Sequence, residues 1–129
     1  MSEQAFRRFV DAINRRDVDK ICSLITKDHM FIDSQGNEIS GKEAMRKGWA
    51  GYFQLFPDYQ IEVTEVFVRG ETVAAFGFAG GTCHGLKERK DLAWKLPAAW
   101  NAKIAEGKIS RWQVYADSKI PFDIINKAK

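Results

Sequence analysis

The chain has 129 residues, 45% hydrophobic and 29% charged, with a formal net charge of +3; this suits one compact globular domain with a single core. No apolar run approaches the ~20 residues of a membrane span, and the polar N-terminus lacks the pattern of a secretory leader, so a cytoplasmic protein off the membrane is expected. Two cysteines, Cys22 and Cys83, are too few for a disulfide framework.

Phe6, Phe9, Val10 and Ile13 recur at i, i+3, i+4, i+7 and predict an amphipathic helix over 3–16. Asp17 can cap a second short helix carrying Val18, Ile21, Cys22 and Ile25. A short strand at about 29–34 follows, with His29 expected at its exposed start. On that strand Phe31 and Asp33 share one face, and Met30, Ile32 and Ser34 the other. Ser40, three residues before Glu43, predicts a capping box. The helix it would open carries Met45, Trp49, Tyr52, Phe53 and Phe56 and ends at Phe56-Pro57-Asp58. Residues 59–69 alternate as a strand, Arg69-Gly70-Glu71 turns, and 72–82 is a Gly- and Ala-rich strand. A polar loop is expected over 83–93. Leu96 to Ile104 alternate again, Ala105-Glu106-Gly107 turns tightly, and 108–117 forms the last strand. Helices followed by an antiparallel meander predict an α+β layered domain, with the aromatic helix facing the sheet. A strongly bent sheet would leave an apolar cavity between them.

The basic residues Arg7, Arg8, Arg15 and Arg16 fall on the first helix. Without a denser patch or a recognisable module they read as a solvated face, and no nucleic-acid partner is expected. Cys83-His84 is too small a cluster for zinc, so no metal is expected. Asp33 is the foremost catalytic candidate: in an apolar pocket it could remove a proton beside a carbonyl. Equally, Asp33-Ser34-Gln35-Gly36 is good turn chemistry. His84, after Gly80-Gly81-Thr82, could act as an acid at a pocket rim or be an exposed loop histidine. The Tyr52 hydroxyl could donate to a developing oxyanion. Phe9, Phe31, Trp49, Phe53, Trp100 and Trp112 are candidate substrate-contacting aromatics, or plain core. Asp117 shares parity with Arg111, Gln113 and Tyr115, opposite Trp112, Val114 and Ala116, and suits capping of a terminal helix.

Several strings, taken together and in order, resemble the SnoaL-like polyketide cyclases. These belong to the wider superfamily of nuclear transport factor two, ketosteroid isomerase and limonene-epoxide hydrolase. The strings are Phe9-Val10-Asp11-Ala12-Ile13-Asn14…Asp17, Phe31-Ile32-Asp33…Gly36…Gly41-Lys42-Glu43-Ala44-Met45, Phe56-Pro57-Asp58, and Gly107-Lys108-Ile109…Trp112…Tyr115…Asp117. The resemblance implies a single SnoaL-like domain over 1–129. It would be an α+β cone, cystatin-like, with three N-terminal helices on a strongly curved, mostly antiparallel sheet. It further implies a pocket at the wide end, a homodimer through the outer sheet face, and acid–base chemistry without a cofactor.

Ketosteroid isomerase pairs an Asp base with an oxyanion hole of Tyr and protonated Asp. Asp33 matches its base. Phe9 falls where that enzyme has its Tyr, and Ala99 or Trp100 where it has its second acid, so steroid isomerisation is not expected. The epoxide hydrolases need an Arg and an Asp on the strand before the last turn, and Pro97-Ala98-Ala99-Trp100-Asn101-Ala102-Lys103 offers neither. What the resemblance leaves is an isomerase or cyclase acting on a small apolar carbonyl compound. A non-catalytic ligand binder or a protein-interaction domain of the same fold is the alternative.

Overall fold

Apolar periodicity becomes packing at once in the N-terminal half. Helix α1 (Ser2–Asn14) buries Ala5, Phe6, Phe9, Ala12 and Ile13. Its basic face stays in water, where Arg7 pairs with Glu3 and Arg15 with Asp11 one helical turn away. Helix α2 (Val18–Ser23) starts as expected, with the Asp17 carboxylate accepting from the Lys20 N–H at 3.0 Å. This computed structural model describes residues 1–82 and 93–128. The expected loop at 83–93, with Cys83 and His84, therefore lies outside the described residues except for Ala93.

Strands β1 (Ile25–Ile32) and β2 (Glu38–Ser40) pair antiparallel around the Asp33 turn. Here two expectations are corrected. Ser40 does not cap α3 (Lys42–Leu55), because it is a strand residue paired with Met30. Gly41 takes the cap position at φ +90°, a left-handed backbone that suits glycine. His29 is not at an exposed strand start: β1 begins four residues earlier, and His29 is fully buried in its middle.

Strands β3 (Gln60–Arg69), β4 (Thr72–Gly81), β5 (Trp94–Ala105) and β6 (Lys108–Ala116) form the meander, and α4 (Lys119–Ala128) follows. The Asp117 carboxylate accepts from the Lys119 N–H at 3.0 Å, in keeping with a capping role. Together the strands make one six-stranded sheet in the order β2-β1-β6-β5-β4-β3. All its pairs are antiparallel except β1–β6. The α+β architecture expected from the sequence is the one observed.

The sheet curls because it is irregular at chosen places. Thr64 is an extra residue between Val63, opposite Gly77, and Glu65, opposite Phe76. Such bulges bend a strand and increase its twist. A Cβ built on Gly77 would lie 1.8 Å from the Glu62 carbonyl oxygen, so β3 and β4 come together there only because position 77 has no side chain. Further along, Ser110 is extra in β6, and residues 26–29 of β1 stand against that one residue. The outer edge of β3 is covered by Asn14. Its amide donates to the Ile61 carbonyl at 2.9 Å and accepts from the Ile61 N–H at 2.7 Å, as a neighbouring strand would.

Two glycine substitutions should have opposite signs. Gly77→Ala should lower unfolding free energy by about 1–3 kcal/mol or more, through backbone overpacking. Gly51→Ala, on the exposed side of α3 with open space around it, should raise it by about 0.5–1 kcal/mol. Urea denaturation of both variants checks the pair.

Candidate functional site

Between α3 and the inner face of the sheet lies a cavity of about 370 Å³. Helix α3 supplies Met45, Gly48, Trp49, Tyr52 and Leu55; the sheet supplies Phe31, Ala79, Trp94, Leu96, Trp112, Val114 and Ala116. Ile39, Phe56 and Tyr59 contribute to the wall, Asp33-Ser34-Gln35 stands on one side, and Ser118, Pro121 and Ile125 cover another. Trp112, Val114 and Ala116 reach it together because alternate residues of β6 point the same way. Aromatic rings run continuously along the wall: Trp49 meets Tyr52 edge-on at 6.4 Å, Tyr52 meets Tyr59 at 4.9 Å, and Tyr59 lies 6.1 Å from Trp94.

Asp33 sits beside this cavity, and its carboxylate also builds the turn between β1 and β2. Oδ1 accepts from the backbone N–H groups of Gln35 and Asn37, each at 2.9 Å, and Oδ2 accepts from Asn37 Nδ2 at 3.1 Å. Asp33 is thus a turn residue that also lines the cavity. Tyr52 is partly buried, and loss of solvation pushes its phenol above the ordinary value of 10.0; the Tyr59 hydroxyl, donating toward it, works the other way. Tyr59 is 7% exposed and is raised still more by burial, with Tyr52 adding to the effect. Both phenols are thus neutral and protonated near pH 7.

Of the expected site residues, Asp33, Tyr52, Phe31, Trp49 and Trp112 come together around this one cavity. Phe9, Phe53 and Trp100 lie in the core and do not line it. Phe9 packs against Trp112 at 4.8 Å, Phe53 stacks on Trp49 at 5.4 Å, and Trp100 is 6.5 Å from Trp112. His84 lies outside the described residues. Tyr59 and Trp94 line the cavity without having been expected there. For Tyr59 a signal existed, since it opens the alternating run with Ile61 and Val63. Trp94 shares the parity of Leu96, Ala98 and Trp100, so the alternation read from Leu96 onward extends back to it. Among the described residues no cluster of three or more His, Cys, Asp or Glu could hold a metal ion, and no helix is long and apolar enough to cross a membrane.

A curled, mostly antiparallel sheet packed against helices is an α+β architecture, and it matches solved structures of the ketosteroid isomerase-like and nuclear transport factor two-like fold. The chain belongs to the SnoaL-like domain family, whose model matches residues 6–112. Among solved structures it is similar to a proposed polyketide cyclase of Xanthomonas campestris pv. campestris. That match has 18% identity, covers 96% of each chain and has a TM-score of 0.82. A Catenulispora acidiphila protein with a ketosteroid isomerase-like fold, in complex with trimethylamine, matches at 17% identity. The match covers 86% of this chain and 83% of that one, with a TM-score of 0.76. TerC, co-crystallised with polyporic acid, matches at 16% identity over 97% of this chain and 98% of its own, with a TM-score of 0.78. No curated protein matches the sequence.

His29 lies two residues before the cavity-lining Phe31, where the irregularity of β1 turns it inward against Phe9. Its Nδ1 is 2.8 Å from the Ile109 carbonyl, which can only accept, so Nδ1 carries the proton. Nε2 is buried without a partner among the described residues. Burial holds the imidazole below its ordinary value of 6.5, although the Ile109 bond and Asp28 oppose this. With the folded pKa depressed, the unfolded chain takes up protons first as pH falls. Stability should be full above about pH 6.5 and decline below it, through the window down to the folded value. In His29→Asn, which can still donate to Ile109, thermal melts from pH 7.5 to 5 should show a shallower decline.

Proposed function

We propose that the cavity receives a compact, largely apolar carbonyl compound and that Asp33 acts on it as general base, in a cofactor-independent isomerisation or cyclisation. One observation carries this reading: Asp33 is the one acidic residue among the described residues that line the aromatic cavity. A carboxylate oxygen offers two lone pairs. Oδ1 is filled by two backbone donors, while Oδ2 takes a single bond and keeps one lone pair for a substrate proton. Removing a proton next to a carbonyl leaves an enolate oxygen, for which neutral Tyr52 is the proposed donor. The small molecules bound by proteins of similar fold, trimethylamine and polyporic acid, support the use of this fold for small ligands.

A non-catalytic binder is favoured by one specific fact: the three bonds to Asp33 are sufficient to explain its presence as a turn residue. Incubating Asp33→Asn and the parent protein with a panel of cyclic ketones and polyketide-like carbonyl compounds separates the two. For the enzyme reading, turnover followed by mass spectrometry should fall about 10²–10⁴-fold in the variant. Saturable binding with chemically unchanged ligand in both proteins would establish the binder instead.

We also propose a homodimer through the outer sheet face. Phe76 of β4 and Tyr115 of β6 flank Ala99 of β5 in one row, and they are 48% and 50% exposed. Phe67 and Phe78 are exposed as well, with Phe67 edge-on to Phe76 at 6.0 Å. Sedimentation velocity should show a dimer for the parent chain and a monomer for Phe76→Glu. A parent chain that sediments as a monomer at high concentration removes this proposal.

A further inference from the structure

The inner stripe of α3 carries one residue that its own packing does not explain. Met45, Gly48, Tyr52 and Leu55 follow one another at i, i+3, i+7 and i+10, and all line the cavity. All but Gly48 bring a large side chain to that wall. Glycine is unfavourable inside a helix, because it has more backbone freedom to lose than any other residue. A left-handed backbone or a close neighbour usually accounts for it. Gly48 is not among the glycines of positive φ, and a Cβ built on it meets no described atom within 4 Å. Gly48 is also exposed, whereas Met45 and Trp49 beside it are buried. Of the described residues that line the cavity, only Gly48 and Gln35 are exposed. A residue that both lines a cavity and meets solvent stands at its mouth, and Gln35 belongs to the turn that holds Asp33.

We propose that Gly48 is the specificity-determining residue of this cavity: its missing side chain keeps the mouth between α3 and the Asp33-Ser34-Gln35 turn wide enough for a ring-bearing molecule. This rests on the small-molecule reading above and specifies which ligands that site admits. A longer side chain at position 48 would lean back toward the N-terminal end of α3, as helical side chains do, and lie across the mouth beside Met45. A narrow chain passes a half-closed mouth, but a fused ring does not. Inside, the aromatic rings of Trp49, Tyr52 and Tyr59 offer a wall on which a flat ring can pack. The same helix supplies a control. Gly51 is exposed and meets no described atom within 4 Å of a built Cβ, yet it does not line the cavity.

Two ketones, the broad 1-tetralone and the narrow 2-octanone, are titrated calorimetrically into the parent protein, Gly48→Ala, Gly48→Leu and Gly51→Leu. All three variants should unfold at higher urea than the parent, since each replaces a glycine inside a helix. Tetralone affinity should nevertheless fall about 5-fold or more in Gly48→Leu, the lower end of what overpacking costs. It should fall less in Gly48→Ala and stay at the parent value in Gly51→Leu. Octanone should lose less than tetralone in Gly48→Leu, so that the ratio of the two affinities drops. Unchanged tetralone affinity in a Gly48→Leu chain as stable as the parent overturns the assignment while leaving small-molecule binding intact. An equal loss in Gly51→Leu, or an equal loss of both ketones, overturns it too. So does a Gly48→Leu chain less stable than the parent, because position 48 would then be needed for packing. Failure of both ketones to bind the parent protein removes the small-molecule reading, and this inference with it.

Discussion

The close approach of the β3 and β4 backbones at Gly77 is the constraint from which the rest of the molecule follows. A side chain there would collide with the Glu62 carbonyl, and one residue along the ladder Thr64 is inserted without a partner. The two features act together, since the bulge lengthens one strand and the glycine lets its neighbour follow the bend. A flat sheet would meet α3 along its whole length and be filled by ordinary interdigitation. A curled one touches the helix at its margins and leaves a space about 370 Å³ in volume behind the aromatic face.

The remaining contacts hold that geometry. Asn14 covers the edge of β3 with two hydrogen bonds to the Ile61 peptide, and so fixes α1 against the curled side. At the opposite end of the sheet order, the mismatch between β1 and β6 brings His29 inward, where it bonds to Ile109 behind Phe9. Between these ends, Ala102 lies opposite Trp112, so a small residue makes room for a large one. Phe6, Phe9 and Ile13 of α1 are fully buried in the core, while the aromatic cavity lies under α3.

Chemistry in this fold depends on what stands around that space. The fold class is shared by proteins of different activity, so the function has to be argued from side chains. Among the described residues they are mainly aromatic, with two neutral phenols and one carboxylate that also belongs to a turn. Asp33 combines a turn with a place in the cavity lining. The hydrogen bonds that close the β1–β2 turn also hold the carboxylate at the side of the cavity, a rigid placement of the kind a positioned base requires.

Much of this was legible in local sequence pattern. The period of Phe6, Phe9, Val10 and Ile13 determined α1 and its inner face, and Asp17 marked the start of α2. The parity of Trp112, Val114 and Ala116 predicted which residues of the last strand face inward. Local signals failed where long-range pairing overruled them. Ser40 resembled a helix cap but was drawn into β2 by Met30, and His29 was placed by the bulge against Ser110. The division of the aromatics was also invisible: Trp49 and Trp112 line the cavity while Phe9, Phe53 and Trp100 fill the core. Periodicity determines which face of an element turns inward. How far that face stands from the opposite layer is set by sheet curvature, which depends on contacts between residues distant in sequence, and only the tertiary structure decided it.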